Sequence, residues 1–219
     1  MRHRIRGFAK RVKIQNNTIE IIKTDGRRVR VRRVPGCKFV FTGDNNHIVL
    51  HEPIGKLELI VRVSSGVYVE LQPSTVYQRK IKVYKSGGEG KLNKLLIGRD
   101  FSSTGWVVFD FCCGGGDITI GDDCLFADGV FWTGDFHVIR DKKTGRILNH
   151  NADIVVGRHV WLGTGVKVLK GVCIPDNAIV GAYSLVTHRF DAPNVVLAGV
   201  PAKVVKTDVD WERAHPDMC

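Results

Sequence analysis

No apolar stretch in this 219-residue chain approaches the roughly 18 residues of a membrane-spanning helix, so no transmembrane segment is expected. The opening residues, Met-Arg-His-Arg-Ile-Arg-Gly-Phe-Ala-Lys-Arg, are basic but hold no apolar core, so no signal peptide is expected. The six cysteines show neither paired zinc spacing nor the pattern of an exported disulfide framework. Reduced thiols and a cytoplasmic location are the expectation. Helical periodicity is almost absent. The composition, 43% hydrophobic and 25% charged, excludes a disordered or collagen-like chain. That length suits one medium domain with a sizeable core.

Charge of one sign is concentrated rather than spread. Residues 1–33 hold 12 Lys/Arg against Glu20 and Asp25, a net of +10, whereas the other 186 residues carry 21 bases and 20 acids. Such a segment fits a polyanionic partner, an anionic surface, or simply a solvated edge. It contains one aromatic, Phe8, so no stacking platform for bases exists and nucleic acid is not the expected partner.

What is present is a β pattern. From about Cys37 to Tyr84 the chain reads as short β-rich runs broken by turn residues: CKFVFTGDNN, HIVLHEP, KLELIVRVSSG, VYVELQPS and RKIKVY. SGGEGK (86–91) reads as a loop. CCGGGD (112–117) reads as a tight turn, since no Gly-Lys-Ser/Thr and no helix follow the glycines to make a phosphate cradle.

From Val156 onward aliphatic residues recur every six positions: Val156, Leu162, Val168, Ile174, Val180 and Val186. Four positions after each of the first five stands a small or β-branched residue, namely Val160, Val166, Val172, Ala178 and Ser184. The same phase runs upstream through Ile120, Phe126, Trp132 and Val138. A period of six fits neither a helix nor a simple pleat. It fits a triangular coil in which each short strand gives one large inward aliphatic and then turns. Stacked coils form parallel sheets with rungs about 4.8 Å apart.

Over 118–205 the motifs ITIGDDCLFADGV, GDFHVIRDKKTGRILN, ADIVVGRHVWLGTGVKVLKGVCIPDNAIVGAYSLV and AGVPAKVV occur in that order. Here the chain resembles the hexapeptide-repeat acyltransferases. The D-x-H, D-x-x-T-G and V-W-L-G elements are most similar to bacterial O-acetyltransferases of capsular or sialic-acid polymers. The resemblance implies a left-handed parallel β-helix and acetyl transfer from acetyl-CoA to a hydroxyl. It also implies a homotrimer with sites between neighbouring subunits. About 40% of the chain carries it, and fold alone does not fix function.

The resemblance places the catalytic base at His137, in TGDFHVIR. A hydroxyl is a poor nucleophile at neutral pH, and imidazole is suited to removing its proton during attack. Asp135, two residues earlier, shares the face of His137 if that segment is a strand. It then orients the imidazole, binds the acceptor, or caps the turn. Trp161 matches a tryptophan lining the thioester site, where its indole N–H can donate to the thioester carbonyl; the alternative is an aromatic packed between coils. Gly163, Thr164, Gly181 and Ala182 are expected to offer backbone groups to the pantetheine arm of acetyl-CoA. Lys203, in AGVPAKVV, is expected to reach the nucleotide phosphates.

Histidines 137, 150 and 159 lie 13 and 9 residues apart, unlike the close ligand pairs of zinc-bearing β-helices, so no metal is expected. Cys112, Cys113, Cys124 and Cys173 are expected to pack as small apolar residues. Four segments follow: a basic segment at 1–35, irregular early coils at 36–117, the regular β-helix at 118–206 with a polar loop at 139–153, and a C-terminal cap at 207–219. The basic segment favours an acidic polysaccharide or glycan precursor as acceptor. The competing readings are acetylation of a small sugar, an amino sugar or an antibiotic, and a non-catalytic β-helix binding module.

Overall fold

The computed structural model describes residues 16–64, 66–87 and 91–214. Residues 1–15, with Phe8 and six of the basic residues, lie outside the described residues, as do 88–90 of the SGGEGK loop and 215–219 of the cap.

Every regular element among the described residues is a strand. The early part contains β1 (Thr18–Ile22), β2 (Arg28–Val31), β3 (Cys37–Thr42), β4 (His47–His51), β5 (Lys56–Val63), β6 (Val67–Leu71) and β7 (Gln78–Lys85). The middle coils follow with β8 (Asn93–Ile97), β9 (Ser102–Ser103), β10 (Trp106–Asp110), β11 (Ile118–Ile120), β12 (Leu125–Phe126) and β13 (Gly129–Trp132). The last coils carry β14 (Ile154–Val156), β15 (Trp161–Leu162), β16 (Val166–Val168), β17 (Cys173–Ile174), β18 (Ile179–Val180) and β19 (Leu185–Val186). Finally, β20 (Val195–Gly199) and β21 (Ala202–Thr207) close the stack.

The strands assemble into three sheets. The first runs β17-β14-β11-β8-β6-β4-β1-β2, the second β19-β16-β13-β10-β7-β5-β3, and the third β21-β20-β18-β15-β12-β9. Pairing is parallel except for the β1–β2 and β20–β21 hairpins, which end the first and third sheets at opposite ends of the stack. From β8 to β19 the chain visits sheets one, three and two in turn, one strand of each per coil, the path of a parallel β-helix. Residues 16–35, expected within a basic segment, contribute β1 and β2 to the first sheet, so the coil stack already begins at Thr18.

The six-residue repeat maps directly onto register. Val156 aligns with Ile174, Leu162 with Val180 and Val168 with Val186, one 18-residue coil apart, and all six are at most 1% exposed. The small residues at Val160, Val166, Val172, Ala178 and Ser184 are equally buried. Glycine after the aliphatic has a steric cause. A Cβ on Gly121 would stand 2.6 Å from the backbone of Gly157 and Arg158 in the next coil.

Upstream the phase slips by one residue. Phe126 aligns with Leu162, but Phe131 rather than Trp132 aligns with Val168, because the Ala127–Asp128–Gly129 corner is one residue shorter than its counterpart. Phe131 is therefore buried, Trp132 is half-buried and Val138 is exposed, against the expected pattern. Phe101, Phe126 and Phe131 pack inside these coils, with the Phe101 and Phe131 ring centroids 5.0 Å and 5.7 Å from that of Phe126. Of the cysteines expected to pack, Cys112 and Cys124 are buried and Cys173 half-buried, but Cys113 is exposed. Burial pushes the Cys124 thiol up to about 12 and the Cys112 thiol to about 11, so neither is a ready nucleophile.

Candidate active site

The chain leaves the stack between β13 in the second sheet and β14 in the first. Residues 139–148 of this excursion fold as a small hairpin, with an antiparallel bridge between Arg140 and Ile147. Its tip is the D-x-x-T-G motif. The Asp141 carboxylate accepts the Lys143 and Thr144 N–H groups at 3.0 and 2.7 Å and the Thr144 hydroxyl at 2.8 Å. This is an Asx-type turn that needs no support from the core.

The root of the excursion is fixed by residues that its sequence pattern did not single out. Asn149 donates through Nδ2 to the Asp135 carboxylate at 2.7 Å and to the His137 carbonyl at 2.8 Å, while its Oδ1 accepts the Ile139 N–H at 2.7 Å. Lys170, from the corner after β16, donates to Asp135 at 2.5 Å and to the Asn149 carbonyl at 3.1 Å. Bonds from Lys170 and then Asn149 hold the Asp135 carboxyl below the usual carboxylate range. The triple glycine seats the returning strand, since a Cβ on Gly116 would lie 2.2 Å from the Ala152 carbonyl oxygen.

His137 projects from this pinned root, exposed, and its imidazole makes no hydrogen bond among the described residues. Residues 133–138 are not a strand, so Asp135 does not share a strand face with His137. The Asp135 carboxylate instead acts on the backbone of His137 through Asn149. Phe136, Val138, Ile139 and Leu148 surround the root and are 50–59% exposed.

Trp161 stands on the outer face of the third sheet, 41% exposed and in register between Leu125 and Ile179. Within one chain the structure thus puts Trp161 and His137 on different sides of the triangular coil. Trp161 lines an open groove of about 680 Å³ whose far wall is Asp210, Trp211, Glu212 and Arg213. Its ring lies 6.2 Å from Trp211. That wall is a C-terminal strap folded back along the stack. Trp211 stacks on His159 at 4.5 Å and donates its indole N–H to the His159 carbonyl at 2.8 Å. The His159 ring bonds the Asp123 carboxylate at 2.6 Å and the Trp211 carbonyl at 2.9 Å. Arg213 reaches Asp123 at 3.0 Å and Ser102 at 2.8 Å. These partners lie 36 to 111 residues apart, beyond any local motif.

The late-coil residues divide into two kinds. The N–H groups of Gly163 and Gly181 are engaged in the ladder, donating at 2.8 Å to Val180 and Leu197 respectively. Those of Thr164 and Ala182 carry no hydrogen bond among the described residues, and both residues are exposed. Lys203 is exposed on β21 opposite Ala198. Among the described residues no group of three or more His, Cys, Asp or Glu side chains is placed to hold a metal ion. No helix among them is long and apolar enough to cross a membrane.

No family profile matches the chain. It is 38% identical over 127 residues to a galactoside O-acetyltransferase of Escherichia coli (strain K12), a match covering 56% of this chain and 59% of that protein. It is 46% identical over 99 residues to a polysialic acid O-acetyltransferase of Neisseria meningitidis, covering 45% and 46%. The chain thus spans about half the length of these relatives. Among solved structures, the polysialic-acid-specific acetyltransferase NeuO superposes with a TM-score of 0.70 at 24% identity, over 92% of this chain and 87% of that one, a likeness of fold. The polysialic acid O-acetyltransferase OatWY superposes with a TM-score of 0.65 at 25% identity, over 92% and 90%. With its β-helix of stacked six-residue repeats, the chain is similar in fold to these two solved acetyltransferases and, over part of its length, similar in sequence to the two O-acetyltransferases.

Proposed function

We propose that this protein is an O-acetyltransferase that moves acetyl from acetyl-CoA to a hydroxyl of an acidic bacterial polysaccharide or its precursor. The observation that carries the reading is the His137 imidazole, free of internal partners and held at its backbone by Asn149. In the proposed step the imidazole takes the acceptor's hydroxyl proton as that oxygen attacks the acetyl carbonyl. The tetrahedral intermediate then collapses, and the departing CoA sulfur takes the proton back from the imidazolium. The Trp161 indole N–H and the unengaged Thr164 and Ala182 N–H groups are donors suited to the thioester carbonyl and the pantetheine amides. Lys203 supplies a point charge for the nucleotide phosphates.

A homotrimer belongs to the same proposal. His137 and Trp161 lie on different sides of one coil, so a shared site requires His137 of one subunit to meet Trp161 of a neighbour. The exposed Phe136, Val138, Ile139 and Leu148 around the excursion supply an apolar surface for that contact. The galactoside-acetylating relative supports a second reading, in which the acceptor is a small sugar.

The test is thiol release from acetyl-CoA with polysialic acid, polygalacturonate, dextran and free galactosides as acceptors. Stimulation by an acidic polymer, reduced about 10²-fold or more in a folded His137→Ala variant that still binds CoA, is the expected result. Stimulation by galactosides alone establishes the second reading. Full activity in His137→Ala overturns the assignment of the base.

A further inference from the structure

The second sheet is widest in the early coils, where β5 and β7 are eight residues long, against three in β16 and two in β19. Along these strands burial alternates. Leu59, Val61, Ile81, Val83, Val107 and Phe109 are fully buried, so the residues between them point outward. Register then fixes which outward residues stand side by side. Lys38, Glu58, Lys80 and Trp106 form one row across β3, β5, β7 and β10. Thr42, Arg62, Tyr84, Asp110 and Trp132 form another, which runs on into β13. Between the two rows lies Lys82, whose Nζ sits 4.6 Å from the centre of the Trp106 ring.

Charge on this face is unbalanced. Lys38, Arg62, Lys80 and Lys82 form no ion pair among the described residues. On the outer face of the first sheet, by contrast, Glu20 is bound to Arg28 at 2.8 Å and Glu70 to His51 at 2.7 Å. In the two rows of the second sheet, Asp110 accepts the Cys112 N–H at 2.8 Å and is held to that turn, which leaves Glu58 among four cations. Cations gathered on one side of a sheet repel each other, and a ligand with repeated negative charges relieves that repulsion. Tyr84, Trp106 and Trp132 are each half-buried on the same face. Aromatic faces beside cations suit sugar rings that bear carboxylates.

We infer that the outer face of the second sheet is a docking platform for an acidic polysaccharide chain, with carboxylates meeting Lys38, Arg62, Lys80 and Lys82 and sugar rings lying on the three aromatics. The inference rests on the reading that the acceptor is an acidic glycan, and adds the surface that holds its non-reacting part. The strands stack along the coil axis, so the row from Thr42 to Trp132 crosses four rungs, about 19 Å. A polymer can occupy that length and a single sugar cannot. Trp132 is the last residue of β13 and His137 follows five residues later, so at most about 18 Å of extended chain separates them in any direction. The platform thus ends on the strand that delivers the proposed base. The subunit contact proposed above uses the excursion and Trp161 of the third sheet, neither of which belongs to this face.

Equilibrium binding of polysialic acid, its monomer and dextran to the full chain tests this. The variants are Lys80→Gln/Lys82→Gln and Trp106→Ala, changes on the outer face that leave the core aliphatics in place. Lys94→Gln/Arg99→Gln, exposed on the first sheet and at a corner, removes the same charge elsewhere. The platform variants are expected to weaken polysialic acid binding roughly tenfold, with the monomer and dextran bound weakly throughout and the charge control like wild type. Unchanged polymer affinity in the folded platform variants overturns the inference, as does an equal loss in the charge control, which marks net charge alone. A lower subunit number in those variants by analytical ultracentrifugation, with polymer binding intact, also overturns it and makes the face a contact between copies of this chain. Acetylation of polysialic acid with an unchanged KM in the platform variants keeps the proposed function and loses the platform. Acetylation of neutral sugars alone, by a protein whose acidic-polymer binding is lost in the variants, keeps the platform and loses the acceptor.

Discussion

Replacing Asn149 with alanine separates the architecture of the excursion from that of the core. The change deletes three hydrogen bonds, to Asp135, to the His137 carbonyl and from the Ile139 N–H. At partly exposed positions each contributes toward the lower end of about 0.5–1.5 kcal/mol, so the ordered root loses roughly 1.5–3 kcal/mol against looser alternatives. Lys170 still bonds Asp135 and moderates the loss. No core aliphatic is touched, so the unfolding midpoint should stay nearly constant. Asn149 is a positioning residue, and its removal should lower kcat about tenfold or more while the KM for acetyl-CoA stays the same. A readout independent of catalysis is tryptic cleavage at Arg140, Lys142, Lys143 and Arg146, which should accelerate in the variant. Asn149→Asp should be no better than alanine, because a carboxylate cannot donate to the His137 carbonyl and repels Asp135. Wild-type cleavage and wild-type kcat in Asn149→Ala would refute the claim that this side chain holds the site.

The C-terminal strap should respond to pH in a defined window. Burial pulls the His159 pKa down, but its bonds to Asp123 and the Trp211 carbonyl outweigh this and leave it raised above 6.5. Its stabilisation is therefore complete below about 6.5 and is lost as pH rises through the raised value. Burial pushes Asp123 up, yet His159 and Arg213 bring it below the ordinary range, so its contribution holds above about 4 and fails only in stronger acid. Trp211 fluorescence should accordingly report the tightest strap between about pH 4 and 6.5, and a flat profile to pH 9 would contradict the pairing. Gly121→Ala should lower stability by about 1–3 kcal/mol or more in urea titration, because its methyl meets backbone of the next coil rather than a movable side chain. Lys203→Gln should raise the KM for acetyl-CoA several-fold with kcat unchanged, and a kcat effect instead would place Lys203 nearer the chemistry.

The sequence reveals structure here to the extent that the coil is regular. Between Val156 and Val186 each turn is 18 residues, a whole number of hexads, so residues that align in space also align in phase. Earlier turns lack that property. Val69 aligns with Leu95, 26 residues on, and Leu59 with Ile81, 22 on, so the strands of that region are visible as alternation but their stacking is not. The single-residue shortening at Ala127–Gly129 moved Trp132 and Val138 out of the expected pattern for the same reason. The candidate site follows the same division. His137 and Trp161 stand in local motifs, whereas Asn149, Lys170 and Trp211 act through partners 14, 35 and 52 residues away and leave no local trace. The absence of a trace is itself informative. A stack of regular coils presents narrow, flat sheets whose backbone groups are already paired, and such sheets offer little to bind a substrate. Unpaired N–H groups occur at the corners between strands, an unencumbered imidazole at the excursion and a buried guanidinium without a carboxylate partner, that of Arg79, along the strandless edge of the early coils. In this fold the repeat builds the frame, and departures from it are the places to look for chemistry.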